Sequence, residues 1–175
     1  MCSLETFKID LKGMKTDEMR RDFELDDDFF KALDASEVKG GTLHVSVSIR
    51  KASGFFELHF HTEGTVTVPC DLCLDDMQQP ITTDNQIVAR LGDDTNTEDD
   101  DVVTVSEDEG ILDTAWLIYE FVALAIPIKH VHAPGKCNSA MTQKLEELSG
   151  AARSGKEETE AIDPRWEALR KLNSK

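Results

Sequence analysis

Basic residues are scarce in this chain. There are 19 Lys and Arg against 35 Asp and Glu, for a formal net charge of −16. Phosphate binding depends on Lys and Arg displacing counterions, so a uniformly basic nucleic-acid surface is excluded. Aromatics are few as well, at 6%. No apolar run reaches the roughly 20 residues that cross a bilayer. The longest, Ile111 to Ile126, is interrupted by Asp113, Thr114 and Glu120. The opening MCSLETFKID lacks the basic stretch and apolar run of a secretory signal, and Cys2 lacks the hydrophobic stretch of a lipoprotein signal. A glycine-rich phosphate loop, a Gly-x-Ser-x-Gly elbow and a His-Glu-x-x-His pair are all missing, so no motif supports an enzyme. A soluble cytoplasmic protein is expected, where paired cysteines more often mean metal or redox chemistry than a disulfide.

What is present is an ordinary globular composition, 39% apolar and 31% charged over 175 residues. That length suits one domain with an appendage. Charge is uneven along it. Residues 1–51 carry 9 basic and 11 acidic groups, residues 52–130 carry 2 and 17, and residues 131–175 carry 8 and 7. The middle repels a phosphate backbone and attracts a basic protein.

Alternation predicts an α+β fold. Leu4 to Asp10 reads as a strand with Phe7 and Ile9 inward, and Met19 to Leu25 as a second. Asp26 to Asp28 supply capping acids for a helix through Ala35. Gly40-Gly41 reads as a turn. Leu43, Val45, Val47 and Ile49 share one face of a strand, and Phe56, Leu58 and Phe60 share one face of the next. Glu63-Gly64 reads as a further turn before Thr65 to Val68, and Ile81 to Leu91 as another strand. The expected architecture is an antiparallel sheet or partly closed β-barrel. One buried helix, Ile111 to Ile126, packs on it and ends at Pro127. Asp93 to Asp101 reads as a solvated acidic loop and Val102 to Val105 as a short strand. Residues 128–137 form an irregular connector and Ala140 to Leu148 a polar helix. The expected organisation is one α+β domain over 1–148, a flexible linker over 149–162 and a short C-terminal helix in 163–175. Asp163 and Pro164 start that helix.

Cys70 and Cys73 form a Cys-x-x-Cys pair in VTVPCDLCLDDM. A metal knuckle needs two such thiolates and two further ligands. His132 and Cys137, in HVHAPGKC after the apolar helix, supply them, and His130 is a spare imidazole. A Cys3His set of this kind is a closed structural zinc site with no open position. The alternatives are thiols packed as small hydrophobes and a small cytoplasmic redox or metal-handling protein. A redox pair sits at a helix N-terminus, whereas Asp75, Asp76 and Pro80 follow here. His44, His59 and His61 lie on the polar phases of neighbouring strands, as solvated residues or a weak surface cluster. In the tail, Arg165, Arg170 and Lys171 surround Trp166. Arg with Trp suits an interface or RNA stacking, and the other possibility is that Trp166 and Leu169 dock back on the chain's own sheet.

PCDLCL after a strand, ILDTAWLIYEFVALAIP, IKHVHAPGKC and DPRWEAL follow one another in an order that resembles the YceD-like family, the large ribosomal RNA subunit accumulation proteins of bacteria and plastids. The resemblance covers about 40–172. It implies a non-enzymatic role in accumulation of 23S ribosomal RNA and assembly of the large subunit, with no catalytic residues. Many members carry further cysteines after the buried helix, where this chain has His132 and Cys137. The implied partner is 23S RNA or a pre-50S particle, met through Lys12, Lys15, Arg20, Arg21 or the tail. Alternatively a basic ribosomal protein or assembly factor is held by the acidic middle. No membrane is implied.

Overall fold

The computed structural model describes residues 4–35, 37–92 and 102–153. A 3-10 turn, Leu4–Phe7, leads into β1 (Lys8–Asp10), followed by β2 (Glu18–Leu25) and α1 (Asp27–Ala32). The Asp26 carboxylate accepts the Phe29 N–H at 3.0 Å, which caps α1. Next come β3 (Gly40–Ala52), β4 (Phe55–Pro69), β5 (Asp76–Leu91), β6 (Val102–Val105), β7 (Ile111–Asp113), α2 (Ala115–Ala125) and α3 (Ser139–Arg153).

The main sheet has the order β2-β3-β4-β5-β6, and β1 pairs with β7 in a second, two-stranded sheet. Antiparallel pairing holds from β2 to β5, whereas β6 lies parallel to β5. Alternation sets the two faces. Leu43, Val45, Val47 and Ile49 of β3 and Phe56, Leu58 and Phe60 of β4 are buried on one side. His44, His59 and His61 point the other way, toward solvent. The buried face is covered by α1 against β3 and α2 against β5. Ala115, Ile118, Tyr119 and Val122 form the inward stripe of α2. Phe121 stacks edge-on against Phe60 with centroids 5.2 Å apart, worth about 0.5–1.5 kcal/mol beyond burial. Phe7 joins Phe29 at 4.8 Å and Phe23 at 5.0 Å, which ties the N-terminal segment to the same core.

Several expectations are corrected. The α+β expectation holds, in its open-sheet form: β2 and β6 are the edges among the described residues, and the parallel β5–β6 pair makes the sheet mixed rather than wholly antiparallel. Glu63-Gly64 is no turn. β4 runs through it, and Gly64 lets the backbone of β3 come close. Gly40-Gly41 likewise opens β3, with the Gly41 N–H donating to Asp27 Oδ1 at 2.8 Å. The apolar run from Ile111 divides into β7 and α2. At the division Asp113 ends β7 and its carboxylate accepts the Ala115 N–H at 3.0 Å, while Thr114, the N-cap of α2, turns its hydroxyl to the Phe7 carbonyl. Leu4 to Phe7 is a 3-10 turn rather than strand, and α3 extends through 149–153, which the sequence assigns to the linker. The acidic loop 93–101, the rest of the linker and the whole tail, with Arg165, Trp166, Arg170 and Lys171, lie outside the described residues.

Candidate metal centre

The long β4–β5 pair ends in a tight loop. Pro69 closes β4 opposite Asp76, and the six residues between carry Cys70 and Cys73. The Cys70 N–H donates to the Asp75 carbonyl and the Leu74 N–H to the Cys70 carbonyl, both at 2.9 Å. Leu74 completes the loop at φ 65, a left-handed conformation that turns the chain back into β5. The Leu72 N–H points at Cys70 Sγ, 3.4 Å away. No helix starts at the pair; the chain passes from turn to strand.

The connector after α2 crosses this loop. Asp71 holds it at two points. Its N–H donates to the His130 carbonyl at 3.0 Å, and its Oδ2 accepts the His130 N–H at 2.7 Å. His130 is thereby fixed with its Nδ1 on the Pro127 carbonyl at 2.9 Å. It serves as a latch, while the next imidazole reaches the thiols.

Cys70, Cys73, His132 and Cys137 converge, with their donor atoms all within 4.8 Å of one another. His132 Nδ1 lies 3.4 Å from Cys73 Sγ and 3.9 Å from Cys137 Sγ, and Cys70 Sγ lies 3.9 Å from Cys137 Sγ. A tetrahedral ion bonded at about 2.0–2.3 Å sets its donors about 3.4–3.8 Å apart, so these edges suit one small cation. The other imidazole nitrogen, His132 Nε2, lies 3.3 Å from the Asp76 carbonyl. A carbonyl only accepts, so that nitrogen carries the proton and Nδ1 offers its lone pair to the thiol side. Cys70 and Cys73 are buried and Cys137 is partly covered. Three thiols and one imidazole, all from the chain, leave no vacant position on a four-coordinate ion.

The electrostatics separate the three thiols. Burial pushes Cys70 upward, but backbone N–H groups of Cys73, His132 and Leu72 favour its thiolate and bring it down to about 6. Burial, reinforced by hydrogen bonds to Cys70 and Cys73, raises Cys137 to about 11. Hydrogen bonding to Cys70 raises His132 above its ordinary value, against burial.

The strand histidines do not gather into a second site. His44 Nδ1 lies 2.8 Å from Glu24 Oε1 and His61 Nδ1 2.7 Å from Asp84 Oδ1, while His59 stands between Ser48 and Gln86 in register. Among the described residues, Cys70, Cys73, His132 and Cys137 are the one group able to hold a metal ion. The sequence reveals these four by their spacing. It does not reveal Asp71 and Asp76, because a carboxylate latch and a carbonyl partner leave no motif. No helix among the described residues is long and apolar enough to cross a membrane.

A family model described as "Large ribosomal RNA subunit accumulation protein YceD" matches residues 58–173. No curated protein and no solved structure matches the chain.

Proposed function

The chain belongs to the YceD family, and from that premise we propose that it is a non-enzymatic cytoplasmic factor for 23S ribosomal RNA accumulation and large-subunit assembly. The observation that carries this is the family match itself. It spans the thiol loop, α2, the second ligand pair and the tail in one stretch.

The metal centre has a structural part in the proposal, with zinc as its ion. Support comes from a donor set of three sulfurs and one imidazole nitrogen, a common structural zinc combination. With all four positions filled by the chain, the ion binds no substrate. It would fix the connector after α2 against the β4–β5 loop and so orient everything that follows residue 137.

Contact with ribosomal RNA is assigned to the tail. Residues 52–130 carry 17 acids against 2 bases and repel phosphate, whereas Arg165, Arg170 and Lys171 surround Trp166. Cations meet phosphates, and the indole offers a face for an unstacked base. A second reading rests on the same charge map, with the acidic middle holding a basic ribosomal protein or assembly factor.

Binding of the full-length protein to 23S RNA fragments over a salt series tests this. The Arg165→Ala/Arg170→Ala/Lys171→Ala variant should bind more weakly and lower the salt slope by about 2–3, at roughly 0.7–0.9 per phosphate contact. Unchanged affinity and slope would sink the tail assignment. If the variant still co-sediments with pre-50S particles, the acidic middle becomes the favoured contact. Loss of the protein from cells should lower 23S relative to 16S RNA; an unchanged ratio would overturn the function.

A further inference from the structure

A groove of about 460 Å³ opens at the C-terminal end of α2, beside the metal centre. Val68, Ala123, Ile126 and Ile128 give it an apolar lining and Glu37 supplies acid at its border, while Asp71, also in the lining, is turned to His130. Ile128 is fully exposed there, and Ile126 is half-buried. A fully exposed isoleucine beside an apolar groove marks a docking surface. The end of a helix carries partial negative charge that favours cations, yet the last turn of α2 holds no basic residue. The groove therefore suits an apolar anchor flanked by positive charge.

The chain contains such a segment. Residues 163–172, DPRWEALRKL, place Trp166, Leu169 and Leu172 among Arg165, Arg170 and Lys171. We propose that this groove is the docking site of the chain's own C-terminal segment, with Trp166 as the anchor. The contact lies within one chain and goes beyond the ribosomal role, because it concerns the free protein.

The length of chain permits it. α3 begins at the metal centre, where Asn138 Nδ2 donates to Asp75 Oδ2 at 3.2 Å. Its 15 residues carry the chain about 22 Å away. The nine residues 154–162 reach up to roughly 30 Å when extended, enough to return.

The experiment uses the full-length chain with Trp116→Phe, so that Trp166 is the sole tryptophan. Trp116 is half exposed and outside the groove. We expect Trp166 to show blue-shifted emission and several-fold protection from acrylamide. Both should be lost in Ile128→Asp and in the uncharged Ile128→Ser, with the melting temperature and metal content unchanged. Solvent-like emission in the parent overturns the proposal. So does protection that neither Ile128 variant moves, which would place the tail elsewhere. Protection that disappears on dilution would assign the groove to a second copy and also overturn it.

Discussion

Cys73 Sγ and His132 Nδ1 stand 3.4 Å apart although they lie fifty-nine positions apart in the chain. Between them lie β5, β6, β7 and α2, so their meeting closes a loop that contains much of the fold. Holding such a loop closed costs entropy that grows slowly with length. One ion bonded to both ends would offset it. This is why a single ligand substitution should be felt well beyond the site.

Protein purified without added metal should therefore carry about one zinc per chain by elemental analysis. Cys73→Ser should lose it. A cost of about 3 kcal/mol is expected, since binding to the folded chain alone stabilises by several kcal/mol. For a protein of this size that lowers the melting temperature by about 6–12 °C. A metal-free wild-type chain that melts at the same temperature as the metal-loaded one would refute the structural role.

Much of this was legible because it is local. The alternation in β3 and β4 names the buried face correctly, from Leu43 to Ile49 and from Phe56 to Phe60. The four candidate ligands are visible by spacing alone. The errors arise where one local signal has two physical meanings. Gly64 marks a turn in sequence, but here it relieves a close approach between strands. Asp113 looks like a blemish in an apolar helix, but it ends β7, and its carboxylate accepts the first N–H of α2. The groove beside the metal centre has no sequence signal at all, because β4, α2 and the connector each contribute only a few residues to it.

The metal-free chain should show a stability optimum set by its thiols. Cys70 is depressed from 9.0 to about 6. Its folded thiolate stabilises fully above pH 9.0, and that contribution fades as pH falls toward 6. Cys137 is raised from 9.0 to about 11, so its contribution is complete below pH 9.0 and fades as pH rises toward 11. Melting temperatures of the metal-free chain across this range should fall on both sides. Cys70→Ser should flatten the acid limb and also weaken the alkaline one, because Cys70 helps to raise Cys137; an acid limb of equal slope in that variant would assign it to other groups.

Gly64→Ala should be among the costliest single changes in the sheet. Gly64 sits at φ 148, and an added Cβ would lie 2.3 Å from the Thr42 carbonyl oxygen and 2.6 Å from Leu43 Cα, both backbone. β3 and β4 must then separate, at about 2–4 kcal/mol. Gly54→Ala is the control. It has φ 91 but nothing within 4 Å of a new Cβ, so only the backbone strain of about 1–2 kcal/mol remains. Urea midpoints should rank the two in that order, and equal losses would mean that the close approach is relaxed in solution.

Thr62 and Thr114 are both fully buried, yet replacing each by valine should have opposite effects. Thr114 Oγ1 donates to the Phe7 carbonyl at 2.6 Å, beside the Thr114 N–H at 3.1 Å on the same oxygen. That pair joins the start of α2 to the N-terminal segment, and Thr114→Val should cost about 1–2 kcal/mol. Thr62 Oγ1 finds no partner among the described residues. A buried hydroxyl without a partner is destabilising, so Thr62→Val, nearly the same shape, should be neutral or stabilise by up to about 1 kcal/mol. Side-chain volume and burial are matched in the two variants, so the difference between their denaturant midpoints isolates the hydrogen bond. A loss at Thr62 as large as that at Thr114 would show that the Thr62 hydroxyl has a partner in solution, such as a bound water.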